Sequence, residues 1–330
     1  VDVRIADFSI QSLERNDSLK FMFCSEIHLN LGEINFFYPG KKYKLNIKSA
    51  KFSTEDSSLI LNSFSFHSLL PDTEFFKGDK YRKDRWKVSV PELKCSGINL
   101  SNLIWYNAVD IKNIDLKTEY IDILTNKRLP IAPGFDPEMP NEIISKAPIG
   151  LNIRKINLNI DSLIIREFWP YSKAPSRLPF TKIKGQLFNL SNMPELQGYN
   201  SPAVINASGL LADAGLMRVN LKVPLLSEGT DIKYSGSLTK MDASALNTHL
   251  VISDLVKVSS GIIDSISFNA EGKNGIIAAD IIPIYRNLKI KTINEESMDS
   301  SGLLISMKTF IANVFSIKNE NTGKSGEIRA

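Results

Sequence analysis

The side chains able to carry chemistry are few and scattered. Three histidines, His28, His67 and His249, lie far apart. His28 and His67 sit inside strand-like runs (Ile27-His28-Leu29 and Phe66-His67-Ser68), where an outward or hydrogen-bonded imidazole is commoner than a metal ligand. Two cysteines, Cys24 and Cys95, are too few for a disulfide framework or a Cys-based zinc module. No Gly-x-Ser-x-Gly elbow, phosphate-cradling glycine loop, zinc-protease pair or calcium-loop spacing occurs. The carboxylates Asp136 and Glu138, and Glu295 and Glu296, fall in loop-like sequence and read as solvated rather than as acid/base pairs. Nothing here points to an enzyme, a resident metal or a cofactor.

One basic cluster stands out. Lys77, Lys80, Arg82, Lys83, Arg85 and Lys87 surround Phe75, Phe76, Tyr81 and Trp86. Lys80, Arg82, Lys83, Arg85 and Trp86 are candidates for contact with anionic head groups or a membrane surface. The alternative is a solvated loop, because Asp79 and Asp84 dilute the charge. A nucleic-acid partner is disfavoured: 40 Lys+Arg against 36 Asp+Glu leave a net charge of only +4. Phe168-Trp169-Pro170-Tyr171 forms an aromatic turn, either a membrane or partner contact or a lid packed over a sheet edge.

The elements that carry these residues are mainly strands. Hydrophobic residues make up 43% of the chain and charged residues 23%, so a packed core is affordable and disorder is not expected. Ile156, Leu158 and Ile160 alternate with Asn157 and Asn159. Met217, Val219, Leu221 and Val223 alternate with Arg218, Asn220 and Lys222, while Ile266, Phe268 and Ala270 alternate with Ser267 and Asn269. This period of two predicts a sheet with one wet face and one apolar face. Turn-forming stretches at 227–231 and 271–275 suggest an antiparallel meander. Short helices are expected at 140–147, at 242–247 behind an Asp242 cap, and as an amphipathic stretch at 301–314 with Leu304, Met307, Ile311 and Val314. No apolar run is long enough to span a bilayer as a helix. A Pro-rich stretch at 129–137 divides residues 1–130, an N-terminal strand region, from residues 131–330, a C-terminal β module.

The order of features after that stretch resembles the AsmA-like family of bacterial envelope proteins, to which TamB-type proteins are related. The residues that carry the likeness are Lys184-Gly185-Gln186-Leu187-Phe188, Tyr234-Ser235-Gly236-Ser237-Leu238, Met241-Asp242-Ala243-Ser244-Ala245-Leu246-Asn247, Ile284-Tyr285-Arg286-Asn287-Leu288-Lys289-Ile290 and Lys308-Thr309-Phe310-Ile311-Ala312-Asn313. It extends over roughly 120–330, and no catalytic residue comes with it. The resemblance implies a mostly β fold: a long curved antiparallel sheet forming an open apolar groove, with a few short helices. It further implies phospholipid acyl chains as the cargo, passing between inner and outer membranes in support of outer-membrane biogenesis. The groove lining would be Ile156, Leu158, Ile160, Met217, Val219, Leu221, Val223, Ile266 and Phe268. The setting would be the periplasm, with an inner-membrane anchor N-terminal to this chain, which reads as a fragment of a longer protein. Alternation alone favours an ordinary β-sandwich core over a groove, and the order of the family-like motifs reverses that weighting. A non-enzymatic scaffold binding an envelope protein through its strand edges is the functional alternative.

Overall fold

The computed structural model describes residues 2–6, 26–38, 42–135, 138–193, 201–225, 232–273, 276–293 and 328–329. The strands are β1 (Asp2–Ala6), β2 (Glu26–Leu31), β3 (Ile34–Phe37), β4 (Tyr43–Ser53), β5 (Ser58–Ser68), β6 (Asp84–Ile98), β7 (Ala108–Asn126) and β8 (Gly150–Phe168). They continue as β9 (Ser176–Ser191), β10 (Ala203–Leu211), β11 (Gly215–Val223), β12 (Ile232–Leu238), β13 (Met241–Asp242), β14 (Val256–Lys273), β15 (Ile276–Thr292) and β16 (Ile328–Arg329). All belong to one open, curved sheet that does not close into a barrel. Neighbours follow chain order, with β3 beside β4 and β13 beside β14 off the main path.

Among the described residues every junction is antiparallel except one. β7 and β8 run parallel from Ala108 beside Gly150 to Asn126 beside Phe168. The sheet is therefore mixed, where an all-antiparallel meander is the expectation from the sequence. A parallel pair obliges the chain to cross back along its length before it can re-enter the sheet. Residues 127–149 make that crossing, so the Pro-rich stretch is a crossover and the sheet runs unbroken past it.

Among the described residues four short helices accompany the strands: α1 (Asp72–Phe75), α2 (Leu100–Trp105), α3 (Pro140–Ser145) and α4 (Asn247–Ser253). Helix α3 starts where proline is tolerated, at its first turn, and Glu142 accepts a 2.8 Å hydrogen bond from the Met139 amide. Asp242 caps the 3₁₀ turn Ala243–Leu246 by accepting from the Ser244 amide at 2.8 Å, and α4 continues from that turn. Helices α1 and α2 are too short to leave a helical periodicity in the sequence. The expected helix at 301–314 and the 227–231 turn lie outside the described residues, as do Cys24, Asp136, Glu295 and Glu296. Among the described residues no helix is long and apolar enough to cross a membrane.

Two tightly packed clusters lie at opposite ends of the strands. At one end Phe75 and Phe76 pack on Leu124 and Phe168. At the other, Ala203, Val223 and Leu225 pack with Ile144 of α3. The middle of the sheet lies between them.

Candidate functional site: an uncovered apolar face

Residues paired across adjacent strands share a face, so the register sorts the side chains into rows. One row runs Leu31, Ala50, Leu61, Leu93 and Leu116 to Leu158. It continues through Gly185, Ala207, Val219, Gly236 and Phe268 to Ile281. Two residues along each strand, a second row crosses from Val3 and Leu29 through Cys95, Ile114 and Ile156. From Ile156 it proceeds through Leu187, Ile205, Leu221 and Tyr234 to Ala270 and Ala279. On the other flank, Ile160 pairs with Ile183, and Met217, Leu238, Ile266 and Pro283 stand in line. With strands about 4.8 Å apart, these rows form an apolar strip on the order of 55 Å long, measured along the sheet.

Behind the middle of the strip the opposite face is wet. Asp115, Asn157, Gln186, Asn206, Asn220 and Ser235 pair in succession. They form a hydrogen-bonded ladder: Asn157 donates to Asp115 at 2.7 Å and Gln186 donates to Asn157 at 3.3 Å. An amide ladder of this kind satisfies side-chain donors and acceptors between strands while leaving the remaining valences to solvent.

All nine groove candidates read from alternation share the apolar face, but their burial separates them. Val223 is 3% exposed within the cluster at the strand end. Ile156, Leu158, Ile160, Met217, Val219, Leu221, Ile266 and Phe268 are only half-buried. A facing sheet would bury such residues almost completely. Among the described residues no second sheet lies over them, so the sandwich alternative does not describe this part of the chain. The Phe268 ring lies across Gly236, where a Cβ would come within 2.4 Å of it.

The basic cluster is dispersed by the fold. Arg85 is fully buried, which removes it as a head-group contact. Strand alternation sends Arg85 inward and its neighbour Trp86, 41% exposed, outward. Arg85 lies 3.2 Å from Asp72 and 3.4 Å from Asp122, and Arg166 binds the same two carboxylates at 2.8 and 2.9 Å. Burial lowers the Arg85 pKa against the pull of Asp72 and Asp122. At Arg166 burial acts the same way, but hydrogen bonds to Asp122 and Asp72 outweigh it and raise the pKa. This quartet ties α1 to β6, β7 and β8. Lys83 is held by Asp79 at 2.6 Å, and Arg82 Nε donates to the Leu129 carbonyl at 3.4 Å. Lys80 stays exposed, its ammonium 5.2 Å above the Tyr81 ring. Asp72, Asp122 and Arg166 escape a reading of the sequence, although a charge among apolar residues, as in Ile121-Asp122-Ile123 and Ile164-Ile165-Arg166, is the available signal.

The aromatic turn is a packed lid. Phe168 is buried, Lys127 sits 4.5 Å above the Trp169 ring, and the Tyr171 hydroxyl donates to the Ser253 carbonyl at 2.7 Å, tying the turn to α4. Burial, reinforced by Asp254, pushes the Tyr171 phenol up to about 12. His28 lies 3.8 Å from Glu26 and 3.5 Å from Glu55, a partly exposed ion-pair cluster when the imidazole is protonated. Cys95 is a buried free thiol within the second apolar row.

Neither a protein-family model nor a curated protein sequence matches the chain.

Proposed function

We propose that this chain is a non-enzymatic lipid conduit in which acyl chains lie against the apolar face while head groups remain in water. The single observation that carries the reading is the strip from Val3 to Ala279, apolar in successive strands, half-buried over most of its length and without a facing sheet among the described residues. An exposed chain of about 16 carbons costs on the order of 12 kcal/mol in water, at about 0.8 kcal/mol per methylene. A continuous strip offsets that cost without specific bonds, so a lipid can slide from strand to strand. The guidance is passive, and directionality comes from elsewhere. The AsmA-like resemblance supplies the setting: phospholipid moving through the periplasm of a Gram-negative envelope in support of outer-membrane biogenesis, with the whole protein anchored to the inner membrane.

The test is solvent extraction and mass spectrometry of detergent-free purified protein. Phospholipid should co-purify, and Phe268→Asp should reduce the retained lipid several-fold. Lipid-free wild-type protein that also fails to take up added phospholipid would end the proposal.

A second reading, a scaffold that adds a partner strand, draws support from β15. Ile276 and Ile277 there are 73% and 46% exposed, and β16 pairs with β15 only at Asp280 and Ile281 among the described residues. Ile276→Lys, on the face of β15 opposite Ala279 and Ile281, should abolish partner binding under this reading and leave lipid retention unchanged under the first.

A further inference from the structure

Helix α2 exposes four consecutive apolar or aromatic residues at its C-terminal end: Leu103 (42%), Ile104 (40%), Trp105 (54%) and Tyr106 (70%). No Lys, Arg, Asp or Glu lies between Leu100 and Asn107. We infer that this end of α2, with Ile143 of α3 at the same end of the sheet, is a bilayer-contact surface that inserts into the interface of a lipid membrane. The inference rests on the conduit reading and adds the place where the conduit meets its membrane.

The surface is held in place. Asn99 caps α2 by accepting from the Asn102 amide at 3.1 Å. The buried Asp110 carboxylate takes hydrogen bonds from Asn102 at 2.9 Å and from Asn152 of β8 at 2.8 Å. These bonds lock α2 to the start of β7 and β8, so its apolar end projects from a fixed point. The parallel junction brings α3 to the same end of the sheet, because the strands that follow α2 and α3 begin side by side at Ala108 and Gly150.

Two observations favour a bilayer over a protein. Trp and Tyr beside Leu and Ile, without charge, match the boundary between acyl chains and head groups, where amphipathic rings are enriched. The surface is also continuous with the apolar face: Ile143 is 54% exposed, while the adjacent Ile144 packs against the Ala203, Val223 and Leu225 cluster at the end of the strip. A lipid leaving a membrane at this point would meet apolar side chains from the start.

The test uses purified protein and neutral phosphatidylcholine vesicles. Wild-type protein should float with the vesicles in both low and high salt, and brominated acyl chains should quench its Trp emission. Trp105→Phe should remove most of that quenching while flotation persists. Ile104→Asp with Tyr106→Asp should weaken flotation roughly tenfold or more, yet leave retained phospholipid unchanged. Val219→Asp should do the opposite, lowering retained lipid but not flotation, so failure of the conduit and failure of the contact surface are told apart. Unchanged quenching in Trp105→Phe overturns the inference. So does binding that needs anionic lipid and vanishes in salt, or wild-type self-association through α2 without vesicle binding.

Discussion

Gly150 donates its amide to the Asn107 carbonyl at 3.1 Å, at the point where β7 and β8 begin their parallel run. A Cβ at Gly150 would stand 2.9 Å from the Ala108 Cβ and 2.8 Å from the Met193 sulfur. The one parallel junction therefore depends on a close approach that a side chain would obstruct. Gly150→Val should lower stability by about 1–3 kcal/mol through overpacking, measured by urea denaturation. A variant with wild-type stability would show that the junction tolerates wider spacing.

An uncovered apolar face makes a quantitative demand on stability. Val219 and Val223 lie on the same strand and the same face, but Val223 is 3% exposed within a packed cluster and Val219 is half-buried in the open strip. Val223→Asp should cost about 4 kcal/mol or more, as expected for an unpaired charge in a packed site. Val219→Asp should cost less than about 2 kcal/mol, because its carboxylate remains hydrated. Equal penalties in chemical denaturation would mean that both positions are covered.

Acid should loosen α1. Burial favours the neutral form of Asp72, but the hydrogen bond from Arg166 and the charges of Arg166, Arg85 and Lys87 outweigh it and hold the pKa below the ordinary 3.8. A depressed carboxylate contributes stability above its unfolded pKa and loses it as pH falls through the folded value. The loss should therefore begin as pH drops past about 3.8. Asp72→Asn should be less stable at neutral pH and should show a shallower decline below pH 4, followed by circular dichroism.

Alkali should loosen α4. The Tyr171 phenol is raised to about 12, so its contribution is complete below the unfolded value near 10 and declines between pH 10 and about 12. Tyr43 and Tyr285 are raised as well, mainly by burial, so the wild-type profile contains all three. Tyr171→Phe isolates one of them: its melting temperature should fall less steeply across that window. Identical slopes would remove Tyr171 from the alkaline response.

The apolar face was legible because a strand repeats every two residues, so Ile156, Leu158 and Ile160 declare a common side before any partner strand is known. The Asp242 cap and the proline at the start of α3 were legible for the same reason, since the signal and its effect lie within a few residues. The basic cluster misled. Arg85 looks like its neighbours Lys83 and Lys87, but Asp122 lies 37 positions away, and the Arg166–Asp72 bond in the same quartet spans 94. Local sequence cannot report such pairs.

The amino-acid order alone determined that this protein is a sheet with one dry and one wet face, because side-chain alternation is a property of each strand taken singly. Only the tertiary structure decided that β7 and β8 join in parallel, that Arg85 is internal, and that the dry face carries no facing sheet among the described residues. Those outcomes depend on which distant strands and helices come together, and burial is a property of that assembly.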